Sequence, residues 1–238
     1  MTGARPRVLL SWSTGKDSAW TLEVLRAERE YEVVGLLTSV NETHERVAMH
    51  AVRRELLRAQ ATAAGLPVRE VSIPHPCSNE IYEREMRAAM TWARGEGIAA
   101  VAFGDLFLED IRAYREERMA ETGLAALFPL WDRPTSELSR QMLGAGLRAT
   151  ITCVDPRQAP AELAGRSWDA QLVEGLPESV DPCGENGEFH TFVTDGPMFD
   201  RPIRVQSGEV VERGGFVYAD LLPATCPSGA RSDSATRD

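Results

Sequence analysis

The sequence predicts an α/β protein in which a doubly wound, mostly parallel sheet carries helices on both faces and is followed by a smaller C-terminal α+β lobe. Two observations lead there. Over residues 1–155 short continuous apolar runs alternate with longer segments of helical period, the pattern of strands buried on both faces and joined by right-handed crossovers. From about Pro156 the periodicity loosens into Pro- and Gly-rich stretches, as in a smaller lobe over 156–225. With 238 residues, 43% of them hydrophobic and 26% charged, the chain is long enough for one large domain plus such a lobe, and a small stapled scaffold is excluded.

Each element has its own signal. Val8–Leu10 reads as the first strand, followed by a helix from about Ser18 to Arg29. Val33–Leu37 reads as the second strand. The segment Arg46–Ala64 places Met49, Val52, Leu56 and Ala63 on one helical face and stops at Gly65, with Pro67 just beyond. Val68–Ile73 is the third strand, and a helix capped by Asn79 carries Tyr82, Met86, Ala89, Met90 and Ala93 along one stripe. Ala99–Phe103 and Leu127–Leu130 complete the set of strands. In the lobe, a short helix is expected around Trp168–Glu174, and a hairpin with Ile203–Gln206 and Glu209–Glu212 flanking Ser207-Gly208. Residues 226–238 read as a disordered tail.

Composition narrows the partners. The net charge of −10 works against a wide basic groove, so nucleic acid is a disfavoured partner, and the basic residues mostly alternate with acids, as in Arg26-Ala27-Glu28-Arg29-Glu30. Cys77, Cys153, Cys183 and Cys226 form no C-x-x-C pair, which leaves a zinc ribbon or disulfide framework without support. No apolar run approaches the ~20 residues needed to span a bilayer, and Met1–Arg7 has no apolar core, so a cytoplasmic protein without membrane partners is expected. A homodimer is the default for such a protein.

In a parallel sheet, ligands bind beyond the carboxyl ends of the strands. The first strand runs into Ser11-Trp12-Ser13-Thr14-Gly15-Lys16-Asp17-Ser18 and then a helix, a loop of small residues that presents backbone N–H groups and the positive helix end to an anion. Hydroxyls of Ser11, Ser13, Thr14 and Ser18 add donors, Gly15 permits close approach, and Lys16 supplies charge. It is not a Walker A loop, because Leu10 and Asp17 stand where that pattern needs Gly and Ser or Thr. Asp17 is placed to hold Mg²⁺ against a phosphate or to stabilise the helix start, and Lys16 to bind phosphate or to remain a solvated surface lysine.

This loop resembles the S-G-G-x-D-S pyrophosphate loop of the PP-loop ATP pyrophosphatases, with Thr14 in place of the usual first Gly. Four further segments are similar to the diphthine–ammonia ligase family in its shorter form: Arg46-Val47-Ala48-Met49-His50, Gly104 to Arg112, Phe128-Pro129-Leu130-Trp131, and Asp181 to Thr191. The resemblance runs to about Pro223. It implies an ATP-dependent, AMP- and pyrophosphate-forming ligase that adenylates a carboxylate and amidates it with ammonia. The family's named acceptor is diphthine, a modified histidine of translation elongation factor 2; shorter members also occur where that modification is absent, so the acceptor stays open.

Further site residues are expected after the other strands. Thr38 and Ser39 end the second strand, where the family places its adenosine contacts, although a strand-end hydroxyl is more often a turn former. Gly104 and Asp105 follow the fourth strand; if Asp105 opens a helix, Glu109 shares its face, and with Asp110 these acids would bind a metal, ammonium or a cationic group. Arg112 and Arg115 would clamp a phosphate or carboxylate, or pair with Glu116 or Glu109. His50 and Trp131 have structural readings at least as good. Glu185 and Glu188 are expected to bind substrate or orient ammonia, with His190 as an alternative base, and Cys183 as either a nucleophile or an inert thiol. Two other functions compete: a related pyrophosphatase that modifies tRNA, and a non-catalytic nucleotide sensor on the same fold.

Overall fold

The computed structural model describes residues 4–43, 45–47 and 51–224. In chain order the first part comprises β1 (Arg7–Ser11), α1 (Lys16–Glu28), β2 (Glu32–Asn41), β3 (Arg46–Val47), α2 (Arg54–Ala63), β4 (Val68–Ile73), α3 (Asn79–Gly95), β5 (Ala100–Ala102), α4 (Glu109–Thr122), β6 (Ala125–Leu127) and α5 (Thr135–Gly144). The second part comprises β7 (Arg148–Val154), β8 (Ser167–Trp168), α6 (Ala170–Glu174), β9 (Phe189–Asp195), β10 (Val205–Arg213) and β11 (Phe216–Pro223).

The first sheet is mostly parallel. β1 pairs with β2 on one side and β5 on the other, β4 extends the sheet beyond β2, and β6 extends it beyond β5. Among the described strands of this sheet, β3 alone runs antiparallel, against the end of β2. The chain therefore leaves β1 in one direction and returns on its other flank, which makes the carboxyl end of β1 the topological switch point where such sheets bind ligands.

Period-two alternation explains why these strands are continuous apolar runs. Leu10 and Leu36 point into a core shared with Leu22, Leu25, Leu56 and Leu57 of α1 and α2. Their neighbours Leu9 and Leu37 point into a second core with Met90, Ala93 and Met119 of α3 and α4. Both faces are covered at the middle of β1 and β2, so consecutive positions there are apolar.

The second sheet is antiparallel. β9 pairs with β7 along its length, while β8 and β11 pair with the two ends of β7, and β10 forms the outer strand. β7 lies ahead of residue 156 in the chain, yet it pairs within this sheet alone. The sheet is tied to the first by the Val193 N–H, which donates to Thr14 O at 3.1 Å, and by Arg26, whose guanidinium donates to Met198 O at 3.0 Å and Ala64 O at 2.6 Å.

Several elements differ from the sequence expectation. The helix expected from Arg46 begins at Arg54, because Val47 pairs with Val40 in a short strand and Arg46 and Arg53 both reach Asp220 on β11, at 2.8 and 2.6 Å. Met49 and His50 lie outside the described residues, as does the expected tail. The cap of α3 is Ser78, whose Oγ accepts the Ile81 N–H, and Asn79 is the first helical residue. Ser207-Gly208 lies inside β10 at a register shift, and the hairpin turns instead at Gly214-Gly215, both with positive φ. Trp168 is a strand residue, its ring buried and its indole N–H bonded to Pro182 O at 3.0 Å. The fifth parallel strand ends at Leu127 rather than beginning there.

Candidate active site

The loop between β1 and α1 is held from both sheets. Thr14 is fully buried with φ 73, a left-handed conformation that a β-branched residue adopts only under constraint. The constraint is visible at its carbonyl, which accepts from Val193 N and from Gln60 Nε2 at 3.0 Å. Gln60 also donates to Val193 O at 2.7 Å and accepts from the Trp12 indole at 2.9 Å, so one buried amide of α2 ties the loop to β9. The Thr14 hydroxyl is buried without a partner. Holding Thr14 there costs about 1–3 kcal/mol.

The remaining loop hydroxyls bond one another. Ser13 Oγ and Ser18 Oγ are 3.1 Å apart, Gly15 N donates to Ser13 Oγ at 3.3 Å, and Ser18 Oγ donates to Gly15 O at 3.0 Å. The Lys16 N–H donates to Thr191 Oγ1 at 3.1 Å. Gly104, arriving from β5, sits directly on the first turn of α1: a Cβ there would lie 2.9 Å from Asp17 C and 3.0 Å from Ser18 N. Only glycine lets the two strand ends close around the loop at that spacing.

Lys16 is not a surface lysine. It is 2% exposed, and its ammonium bonds Asp17 Oδ2 at 2.9 Å and the Cys183 carbonyl, with the rings of Trp168 and Phe189 each 5.7 Å away. Burial alone would lower its pKa, but Asp17, together with Cys183 and Glu185, outweighs that and holds it above its usual value. Asp17 has one oxygen on Lys16, while its buried Oδ1 has no partner; desolvation pushes this carboxyl up against the pull of Lys16.

The segment after α6 supplies the opposite wall. Asp181 Oδ2 accepts from Cys183 N at 3.0 Å and Glu185 N at 3.1 Å, folding the turn that aims the Cys183 carbonyl at Lys16 and the Glu185 side chain at Leu106 N, 2.7 Å away. Burial raises the Glu185 carboxyl to about 7, with Leu106 N–H opposing and Asp17 adding to the rise. Burial and the Lys16 charge lower His190 to about 4, so its imidazole is neutral near pH 7. Burial pushes the Cys183 thiol far above its usual range, which removes it as a nucleophile.

Two adjoining cavities open at the carboxyl ends of β1, β2 and β5. The larger, about 460 Å³, is mostly apolar; Thr38, Ser39, Met86, Phe103 and Met119 are among its lining residues. The smaller, about 210 Å³, is polar and is lined by Lys16, Asp17, Asp105, Glu185 and His190 among others. Ser11 and Ser13 lie on both.

The expected residues divide accordingly. Ser11, Ser13, Lys16, Asp17, Ser18, Gly104, Asp105, Glu185 and His190 come together at the polar cavity, and Thr38 at the apolar one, with its hydroxyl on Trp12 O at 2.8 Å. Asp105 opens no helix: α4 begins at Glu109 with Leu108 as cap, and Asp105 instead pairs with Arg115 at 2.7 Å. Glu109 and Asp110 are exposed on the first turn of α4, and neither cavity touches them. Arg112 stacks against Phe128 and Trp131 and pairs with Glu116 at 2.8 Å, which spends its charge on packing. Glu188 is 1% exposed and turns inward, accepting from Asp181 N at 2.9 Å and Asn186 Nδ2 at 3.0 Å. These contacts anchor the turn, and Glu188 lines neither cavity.

Gln60, Asp181 and Thr191 had no functional reading in the sequence. Gln60 had a usable signal, being a polar residue on the otherwise apolar face of α2 with Leu56, Leu57 and Ala63. Among the described residues no group of three His, Cys, Asp or Glu side chains is arranged to hold a metal, and no helix is long and apolar enough to cross a membrane. A Mg²⁺ bound by one carboxylate and substrate phosphates needs no such cluster, and the unpartnered Asp17 Oδ1 fits it.

The model of the diphthamide synthase N-terminal domain matches residues 6–126, and that of the diphthamide synthase C-terminal domain matches residues 134–220. The diphthine–ammonia ligase of Homo sapiens is 26% identical over 184 residues, covering 75% of this chain and 68% of that protein. The Rattus norvegicus protein of the same name is 25% identical over the same shares. That of Schizosaccharomyces pombe is 30% identical over 133 residues, 54% of this chain and 22% of the yeast protein.

Proposed function

Since the chain belongs to the diphthamide synthase family, we propose that it is an ATP-dependent ligase that adenylates a carboxylate, releases pyrophosphate, and amidates the acyl group with ammonia. The names of its relatives as diphthine–ammonia ligases support the ammonia-using half of this reading. The observation that carries it is the polar cavity, where Lys16 and Asp17 meet a Glu185 carboxyl that titrates at about 7.

In this reading the nucleoside occupies the apolar cavity beside Thr38 and Ser39, and the phosphates lie at the Ser11–Ser18 loop where the two cavities meet. Lys16 stays protonated and bears on the phosphate chain, and Asp17 Oδ1 takes Mg²⁺. The metal, when bound, neutralises charge on the departing pyrophosphate. An oxygen of the acceptor carboxylate attacks the α-phosphorus and the bond to the bridging oxygen breaks, with pyrophosphate leaving with the electron pair. Ammonia then attacks the acyl carbon and AMP departs. Glu185 is the base that takes a proton from ammonium before or during attack, because a carboxyl near 7 both accepts and returns a proton at neutral pH. His190, lowered to about 4, is too weak a base for that task.

The polar cavity is small, so the acceptor presents a slender carboxylate-bearing arm, whether on a protein or on a metabolite. The test is to incubate the protein with Mg²⁺–ATP, ammonium and a panel that contains diphthine-bearing elongation factor 2 and small carboxylates, and to resolve AMP plus pyrophosphate from ADP plus phosphate. AMP that appears only with an acceptor, and disappears in Asp17→Asn, is the expected result. ADP as the product overturns the proposal.

A further inference from the structure

Four residues line both cavities: Ser11, Ser13, Phe103 and Arg115. Arg115 is the one that carries a charge. Its guanidinium lies 4.5 Å over the Phe103 ring and is paired with Asp105, Nε to Oδ2 at 2.7 Å and Nη2 to Oδ1 at 3.1 Å. About a third of its side chain is exposed, against 12% for Asp105, so the cation is open to the cavities from a partner that is mostly enclosed.

We propose that Arg115 is a catalytic residue that binds the α-phosphate at the junction of the two cavities. This rests on the reading of the apolar cavity as the nucleoside site. A nucleotide whose base side fills the apolar cavity and whose outer phosphates enter the polar one must pass its α-phosphate between Ser11, Ser13 and Arg115. Lys16 and Asp17 lie on the polar side alone, so they serve the outer phosphates. When the carboxylate oxygen attacks and the pyrophosphate oxygen departs, negative charge gathers on the non-bridging oxygens of the α-phosphorus. A planar guanidinium with two parallel N–H donors is suited to stabilise it. Stacking on Phe103 fixes the plane of the guanidinium, and Asp105 holds it near the junction before substrate arrives.

The test is calorimetric binding of adenosine, AMP and α,β-methylene-ATP, none of which requires the acceptor. Arg115→Met is expected to weaken AMP and α,β-methylene-ATP by about 10- to 100-fold while leaving adenosine within about twofold. Because that change strands a mostly buried carboxylate, Asp105→Asn with Arg115→Met serves as the folded control, with the same loss expected. Equal losses for adenosine and AMP would make Arg115 structural and overturn the proposal, as would unchanged AMP affinity in the double variant. If the unaltered protein binds none of the three, the nucleotide reading itself fails, and the assignment of Arg115 with it.

Discussion

Replacing Glu185 with Gln separates its charge from its shape. Gln can keep accepting the Leu106 N–H through its amide oxygen, but it cannot ionise. The Glu185 carboxyl titrates at about 7 in the folded protein, against 4.5 as its ordinary value. Between those pH values the unfolded chain has released a proton that the folded protein retains. Folding stability is therefore fully present below about 4.5, falls as pH rises through about 7, and is level beyond. At 1.36 kcal/mol per pH unit the loss is about 3 kcal/mol at most, and about 1.5 kcal/mol once water in the polar cavity is allowed for. Urea unfolding of both proteins at pH 5 and pH 8 measures it. The stability of Glu185→Gln relative to the unaltered protein should rise by about 1–2.5 kcal/mol from pH 5 to pH 8, a relative gain of roughly 2–10 °C in melting temperature for a chain of this size. A stability difference that is the same at both pH values would refute the raised carboxyl, and with it the physical basis for Glu185 as the base. Amide formation should fall at least 100-fold in this variant while AMP-analogue binding stays intact.

Other substitutions test the frame around the site. Thr14→Gly should be at least as stable as the unaltered protein and up to about 1 kcal/mol more stable, because it removes left-handed strain and a buried unpartnered hydroxyl; chemical denaturation beside Thr14→Ala checks it, and a less stable Gly variant would contradict the strain. Gly104→Ala should cost about 1–3 kcal/mol and weaken nucleotide binding, since its Cβ would press on the backbone of Asp17 and Ser18; a variant with normal stability and affinity would show that the approach is looser than 2.9 Å. Cys183→Ser should retain AMP formation within a few-fold, because the backbone carbonyl and not the thiol meets Lys16; loss of turnover with ATP binding preserved would restore a role for the sulfur.

What the sequence by itself determined was what depends on near neighbours along the chain. Continuous apolar runs such as Val8–Leu10 and Val33–Leu37 mark strands covered on both faces, and Leu9 and Leu10, like Leu37 and Leu36, do enter opposite cores. The strand–loop–helix context placed Ser11–Ser18 at the strand end where the two cavities open, and the segment near Glu185 stood out by its acids and glycines. The helix expected from Arg46 shows the limit of such reasoning: its apolar spacing is genuine, but pairing of Val47 with Val40 and of Arg46 and Arg53 with Asp220 set a different start.

Only the tertiary structure decided which polar side chains face the cavities, because that depends on partners far away in the chain. Lys16 became buried through the Cys183 carbonyl and the rings of Trp168 and Phe189; Asp105 found Arg115 on α4, and Glu188 turned inward to hold Asp181. Thr14 took the left-handed backbone that its side chain disfavours because Val193 and Gln60, from β9 and α2, hold its carbonyl. Holding a threonine in that backbone costs about 1–3 kcal/mol, and two buried hydrogen bonds together with the packing around them offset it.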